Sequence, residues 1–173
     1  MRIFAAIRPT DAFRAALSVL QDNLRAAGVT GRYLDPSNLH MTLAFVGEWP
    51  ENISDLLPEV TEPFSVRLSR PGVFPAAKVL WAGAEPCPAL DRLAARVQGI
   101  FRENSIPFDP KPFNPHITLI RKPVLPAGLD LSEIPVPSAA MEVTEVCLYR
   151  SDRGEDGMVY TVIGSSGDRG VTA

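Results

Sequence analysis

The alternation of apolar and polar positions predicts a chain of short strands with two amphipathic helices. An apolar run at residues 2–7 stops at Arg8-Pro9, which is typical of a buried strand. A helix is predicted next, with Thr10 as its cap and Gly28 as its stop. Its apolar residues recur at helical spacing: Phe13, Leu17, Leu20 and Leu24.

The second helix has the clearest pattern in the chain and is predicted from Pro88 to about Asn104. Six apolar residues form one face: Leu90, Leu93, Ala94, Val97, Ile100 and Phe101. Further strands are predicted at residues 40–47, 63–69, 78–84, 116–121, 141–151 and 158–164, with a turn at 152–157.

Each half of this pattern contains a helix that is followed, after a loop, by a strand beginning with histidine. The sequence therefore predicts an α+β protein with two similar lobes, and an old duplication is one explanation of the similarity. We expect a single bilobal domain over residues 1–164 and a flexible tail over residues 165–173.

Composition and charge indicate in which compartment the protein acts and which kind of partner it binds. A formal charge of −3 gives no footprint for long nucleic acid, so we expect any RNA to be held locally, at an end or a single linkage. The two cysteines, Cys87 and Cys147, form no CxxC pair. The N-terminus does not resemble a signal peptide, and no apolar stretch has the length of a membrane span. We expect a cytoplasmic monomer with no membrane partner.

Both histidines of the chain lie in the same six-residue setting. The stretches are Asn-Leu-His-Met-Thr-Leu at residues 38–43 and Asn-Pro-His-Ile-Thr-Leu at residues 114–119. Side chains alternate along a strand, so each histidine shares a face with the threonine two residues later. Two lobes packed side by side would bring together four groups: His40, Thr42, His116 and Thr118.

Such a set suits the chemistry of phosphate esters. A neutral imidazole can take a proton from water while a protonated one gives a proton to a leaving oxygen. Threonine hydroxyls can donate hydrogen bonds to phosphate oxygens. Arg121 could add a cation, but it stands five residues after His116, and this odd offset turns it away on an ideal strand.

Other interpretations of these residues remain open. A single His-x-Thr on a strand is commonly structural, and it is the repetition that favours a site. Neither six-residue motif contains Asp, Glu or Cys, so we expect no metal and no other cofactor. Asn38 and Asn114 are expected to be turn residues before their strands.

Five segments, taken in order, carry a resemblance to a known family. "MRIFAAIRP", "NLHMTLAFVGE", "KVLWAG", "FNPHITLIRK" and "LYRSDRGEDGMVYTVI" resemble segments of the 2H phosphoesterases. Within these, the chain is most similar to the RNA 2′,3′-cyclic phosphodiesterases, also called 2′-5′ RNA ligases. The resemblance implies a bilobal α+β fold in which two antiparallel-sheet lobes with outer helices are related by pseudo-two-fold symmetry around a central cleft.

The same resemblance implies hydrolysis of a terminal RNA 2′,3′-cyclic phosphate to a 2′-phosphate, without a metal. It makes His40 and His116 the acid–base pair, and we take His40 as the acid and His116 as the base, although the orientation of the substrate is not fixed by the sequence. It assigns substrate contacts to four further residues: Thr42, Thr118, Arg121 and Phe45. Phe45 also fits a core aromatic, because it stands at an odd offset from His40.

Several activities share these motifs. Other branches of the superfamily act on ADP-ribose cyclic phosphate, on 2′-5′ oligoadenylate or on the 3′ ends of small RNAs, and the reverse reaction would join RNA ends through a 2′-5′ linkage. The expected partners are therefore RNA 3′ ends or small cyclic nucleotides. A non-catalytic module that binds RNA ends or nucleotides is the alternative from another class, although binding alone does not need two titrating groups.

Overall fold

A computed structural model describes residues 1–171 of the chain, in which nine strands and two α-helices alternate with short 3-10 turns. The helices are α1 (Asp11–Ala26) and α2 (Pro88–Glu103). The strands are β1 (Arg2–Ile7), β2 (Thr30–Tyr33), β3 (Met41–Glu48), β4 (Phe64–Phe74), β5 (Val79–Ala84), β6 (His116–Val124), β7 (Ala140–Val143), β8 (Cys147–Gly154) and β9 (Gly157–Ser165).

The strands form two antiparallel sheets, which confirms the predicted fold class. One sheet has the order β3-β1-β8-β9 and the other the order β2-β6-β5-β4-β7. The same unit occurs in both: β1 leads through α1 to β3, its antiparallel neighbour, and β5 leads through α2 to β6, its antiparallel neighbour. The His-x-Thr motifs therefore lie on equivalent strands, β3 and β6.

Both helices follow their predicted patterns closely. Thr10 caps α1, with its Oγ1 accepting a hydrogen bond from the Phe13 amide at 3.3 Å, and Pro88 occupies the first turn of α2. The apolar stripe of each helix is buried in one core cluster shared by both sheets. In the part of the chain that the structure describes, no helix is long and apolar enough to cross a membrane.

The predicted strand at residues 141–151 is two strands, and the prediction was wrong there. β7 pairs with β4 in the five-stranded sheet, whereas β8 pairs with β1 and β9 in the other. The burial pattern shows the reason: Met141 and Val143 are buried alternately, and a continuous buried run begins at Val146. The chain passes between the sheets where this alternation changes phase.

Strand β2 was missed, and regular structure continues into the C-terminal segment, whose flexibility stays a prediction. β2 is largely exposed, so it carries no apolar alternation that could reveal it. At the other end, Ser165 closes β9 and a 3-10 helix spans Ser166–Val171. The Ser165 hydroxyl donates to Glu145 at 2.9 Å, and the Val146 amide donates to the Ser166 hydroxyl at 2.9 Å. Residues 172 and 173 lie outside the described residues.

Candidate active site

The two motif strands contact each other where the sheets meet, and their polar faces open onto one cavity of about 630 Å³. Four of the predicted site residues line it in addition to His40: Thr42, Thr118, Arg121 and Phe45. His116 begins β6 and lies near enough to His40 for a proton on its ring to lower the pKa of His40. The fold thus brings all six predicted residues to one region.

Each histidine is held in one tautomer by the backbone of its own motif. His40 Nδ1 lies 2.7 Å from the Asn38 carbonyl oxygen, and His116 Nδ1 lies 2.6 Å from that of Asn114. A carbonyl oxygen can only accept, so Nδ1 is the donor in both rings. Nε2 is then the nitrogen left to give or take a proton. The asparagines were expected to be turn residues, and their carbonyls also orient the imidazoles.

A β-bulge explains why Arg121 reaches the cavity despite its odd offset. In the pairing of β5 with β6, Leu80 lies opposite Ile120 and Trp81 opposite Thr118, so Leu119 has no partner. The extra residue reverses the alternation of the strand, and Arg121 returns to the face of Thr118.

Strand β3 carries the same irregularity at the same distance from its histidine. Ala5 pairs with Ala44 and Ala6 with Thr42, which leaves Leu43 as the extra residue. Phe45 consequently lines the cavity, and its half-buried ring also packs against the small core cluster that contains Phe4. The bulges place different side chains at equivalent positions, an aromatic ring in one lobe and a guanidinium in the other.

A glutamine from each helix, the buried Gln21 and the half-buried Gln98, hydrogen-bonds to the bulge of the opposite lobe. Gln21 Nε2 donates to the Leu119 carbonyl at 3.1 Å and to the Leu34 carbonyl at 3.0 Å. Gln98 Nε2 donates to the Leu43 carbonyl at 3.0 Å. Both glutamines are the eleventh residue of a 16-residue helix, counted from Asp11 and Pro88. Each irregular strand therefore has a donor supplied by the other half of the chain.

The two histidines have different environments. Three rings surround His40, with centroid distances of 4.7, 5.5 and 5.0 Å: Phe4, Tyr149 and Tyr160. The pKa of His40 is lowered to about 4, chiefly by burial and further by positive charge at Arg121 and His116, while the hydrogen bond to Asn38 opposes the shift. His40 is therefore neutral at neutral pH in the free protein.

His116 is half-buried and lies against two aromatic rings. The edge of Phe74 lies at a centroid distance of 5.0 Å and that of Trp81 at 6.5 Å. Gly72 permits this arrangement, because a Cβ atom there would collide with the indole of Trp81.

The rest of the cavity comes from strands in which no motif marked a site. Six residues were missed: Arg2, Phe4, Ser151, Arg153, Met158 and Tyr160. Arg121 Nη2 donates to the Tyr160 hydroxyl at 3.1 Å, which connects the second motif to the first sheet. The Asn38 amide joins β9 to the first motif through Met158 O at 2.8 Å and Tyr160 N at 3.2 Å. The sequence signal that could have found them is alternation, because residues two apart on a strand share a face. The six residues form three such pairs: Arg2 and Phe4, Ser151 and Arg153, and Met158 and Tyr160.

Two antiparallel sheets that each contribute a His-x-Thr strand to one cavity define a 2H phosphoesterase. A family model described as the 2′-5′ RNA ligase superfamily matches residues 9–155. The chain belongs to that superfamily. An RNA 2′,3′-cyclic phosphodiesterase of Thermus thermophilus is 35% identical over 182 aligned residues, covering 94% of this chain and 88% of that protein. A protein of the same name from Escherichia coli is 34% identical over 76% of each chain.

Solved structures agree with this assignment. A crystal structure of a Thermus thermophilus protein superposes with a TM-score of 0.75 at 33% identity, over 95% of this chain and 96% of that one. E. coli LigT in complex with 3′-AMP superposes with a TM-score of 0.76 at 27% identity, over 95% of each chain.

Proposed function

We propose that this protein is an RNA 2′,3′-cyclic phosphodiesterase that opens a terminal cyclic phosphate to a 2′-phosphate. The observation that carries the proposal is the pair of imidazoles fixed through Nδ1 beside one cavity, with Nε2 left for proton transfer. Relatives that are named for this activity cover most of the chain at 30–35% identity. Side chains of this protein are thus proposed to supply both the acid–base pair and the groups that donate hydrogen bonds to the phosphate.

The reaction needs one base, one acid and a grip on the phosphate. Water attacks phosphorus in line with O3′, one histidine takes the proton of that water, and the P–O3′ bond breaks. The other histidine gives a proton to O3′, which leaves the phosphate on O2′. We infer that Thr42, Thr118 and Arg121 donate hydrogen bonds to the non-bridging oxygens, where negative charge is held during the displacement.

The order of the two histidines stays a prediction, and the pKa of His40 sets a condition on it. If His40 is the acid, it must carry a proton in the complex, although it is neutral in the free protein. A phosphate anion held beside the ring favours the charged form and raises its pKa. The terminal base is proposed to lie against Phe45, whose ring lines the same cavity.

The pH dependence of kcat/KM is expected to be bell-shaped, with an acid limb near pH 4. Only the state with a single proton on the two histidines is active, whichever ring is the acid. As the pH falls through about 4, His40 becomes charged and no base remains, so the rate falls. Assays from about pH 3.5 to about pH 9, with circular dichroism as a check of folding, measure this limb. An acid limb near the ordinary histidine value of about 6.5 would contradict it.

The direct test of the function is incubation with a short RNA ending in a 2′,3′-cyclic phosphate and identification of the product isomer. A 2′-phosphate product is expected. ADP-ribose cyclic phosphate and 2′-5′ oligoadenylate, supplied in parallel, test the other activities of the superfamily. Binding of the RNA without any product would contradict the proposal and support a binding module. That the protein acts as a monomer in the cytoplasm stays a prediction.

A further inference from the structure

The cavity is strongly cationic in a protein whose net charge is negative. Three arginines line it, Arg2, Arg121 and Arg153, and none of the described lining residues is Asp or Glu. The formal charge of the whole chain is −3. A second depression, of about 420 Å³ at the start of α1, differs because it is lined by arginines together with carboxylates, and Arg8 pairs there with Glu145 at 3.0 Å. The unbalanced positive charge is thus particular to the histidine cavity.

Two of these arginines have no role in the proposed reaction and no acidic partner. Among the described residues, Arg2 and Arg153 form no ion pair, whereas Arg150 on the same strand as Arg153 binds Asp152 at 2.8 Å. The carboxylate beside Arg2 in the strand pairing, Glu48, lies 3.6 Å from the terminal amino group. Exposed guanidinium groups that face a cavity without a counter-ion form a site for an anion.

The strand register places Arg2 and Arg153 away from the phosphate that is proposed to bind at the histidines. On β1, Ala6 lies opposite Thr42 and Phe4 lies opposite Phe45. Arg2 is two residues further from the histidines along the same strand. Four residues of strand span about 13 Å, so the backbone of Arg2 is far from the phosphate held at Thr42. Its guanidinium carbon lies 4.9 Å from the centre of the Phe45 ring. Arg2 therefore lies beyond the ring proposed to contact the terminal base.

Arg153 lies on the same outer side of the cavity. Arg2 pairs with Ser151 and Ser151 with Tyr160, which forms one row across three strands. Arg153 is two residues beyond Ser151 on the same face of β8, opposite Met158. The two arginines thus border the outer end of the cavity, and Arg121 lies at the inner end.

We propose that Arg2 and Arg153 bind the phosphate on the 5′ side of the terminal nucleotide, so that the preferred substrate is the end of an RNA strand and not a mononucleotide. The inference rests on the proposed function, which places the cyclic phosphate at the histidines and the base at Phe45. The same chemistry would accept a 5′-monophosphate on a single nucleotide. The substrate class follows from charge and register, without any contact to a second base.

The test compares kcat/KM for three substrates that share one base. They are a nucleoside 2′,3′-cyclic phosphate, the same compound with a 5′-phosphate, and a dinucleotide ending in the cyclic phosphate. The wild-type protein is expected to prefer the two substrates with a 5′ phosphate by about tenfold or more, and the preference should weaken in high salt. A preference for the dinucleotide alone identifies the diester of an RNA strand as the ligand, and equal rates on all three overturn the proposal.

Substitutions assign the preference to the arginines. In Arg153→Gln, and more strongly in the double variant with Arg2→Gln, the ratio of kcat/KM between the phosphorylated and unphosphorylated substrates is expected to fall towards one. Arg150→Gln is the matched control, because Arg150 neighbours the site in sequence, does not line the cavity and is already paired. A ratio unchanged in the double variant overturns the proposal.

Calorimetry separates failure of this proposal from failure of the proposed function. A nucleoside 2′-phosphate and the matching 2′,5′-bisphosphate are titrated into wild-type protein and the double variant. Tighter binding of the bisphosphate by about tenfold, lost in the double variant, supports the site even if no substrate is turned over. Equal binding of both ligands by the wild-type protein overturns the site, whether or not the cyclic phosphate is hydrolysed.

Discussion

Replacing either histidine by alanine is expected to lower kcat by about 10²- to 10⁴-fold, the range typical of a lost general acid or base. Each imidazole is held in position through Nδ1 by a backbone carbonyl oxygen, at 2.7 Å for His40 and 2.6 Å for His116. Alanine leaves no group at that position that could transfer a proton. The double variant is expected to be little worse than the single ones, because the two residues act as one unit. Single-turnover assays on an RNA with a cyclic end measure this.

The control for these variants addresses the packing of His40. Its ring lies among three aromatic rings, so alanine there leaves a cavity, and His40→Gln fills more of it. Denaturation midpoints of all variants show whether the fold is retained. More than a tenth of the wild-type rate in both single variants would contradict the acid–base assignment.

Replacing Arg121 by alanine is expected to lower kcat/KM by about 10²- to 10³-fold, the effect seen when a donor to a developing negative charge is lost. Arg121 lines the cavity with Thr118, and its Nη2 donates to the Tyr160 hydroxyl at 3.1 Å. Arg121→Lys keeps the charge but not the fork of donors, so it is expected to recover only part of the rate. Steady-state kinetics on the cyclic-ended RNA provide the measurement.

A second readout distinguishes loss of a phosphate ligand from a general disturbance. The charge of Arg121 lowers the pKa of His40, so in Arg121→Ala that pKa is expected to rise and the acid limb of kcat/KM to move to higher pH. Lys122→Gln is the matched control, because it removes the next charge from an exposed side chain that does not line the cavity. An unmoved acid limb, or an equal loss of rate in Lys122→Gln, would contradict the assignment.

The parts of the molecule that follow from local patterns could be predicted from the sequence. Both helices lie where apolar residues recur at helical spacing, because such a stripe is stable only against a core. The histidine and threonine of each motif share a face because alternation holds over so short a distance. The repeated helix–loop–strand pattern predicted two lobes, which the two antiparallel sheets confirm, and the family resemblance added the central cleft.

The features that depend on tertiary contacts could not be predicted in this way. A bulge inserts one unpaired residue, and nothing in "HMTLAF" or "HITLIR" marks Leu43 or Leu119 as that residue. Their carbonyls accept hydrogen bonds from Gln98 and Gln21, which are distant in sequence. Arg121 was therefore predicted for the site on the resemblance, while strand geometry alone pointed it away.

The outer part of the cavity was missed for a related reason. Arg2 and Arg153 lie on strands from opposite ends of the chain, and only the pairing of β1 with β8 brings them to one face. The break within residues 141–151 hid this pairing, since a single strand there would have stayed in one sheet. Long-range register is thus the information that a single sequence lacks.

The position of β1 has a consequence for how the protein matures on the ribosome. One of the two neighbours of β1 is β8, which is made more than a hundred residues after it. The five-stranded sheet is closed by β7 before β8 emerges, whereas the first sheet must hold an open edge until then. An exposed apolar edge in a nascent chain is a place for mispairing, so β1 is open to mispairing until β8 joins it. Because β8 and β9 carry Arg153, Met158 and Tyr160, the cavity is complete only when these two strands have joined the first sheet.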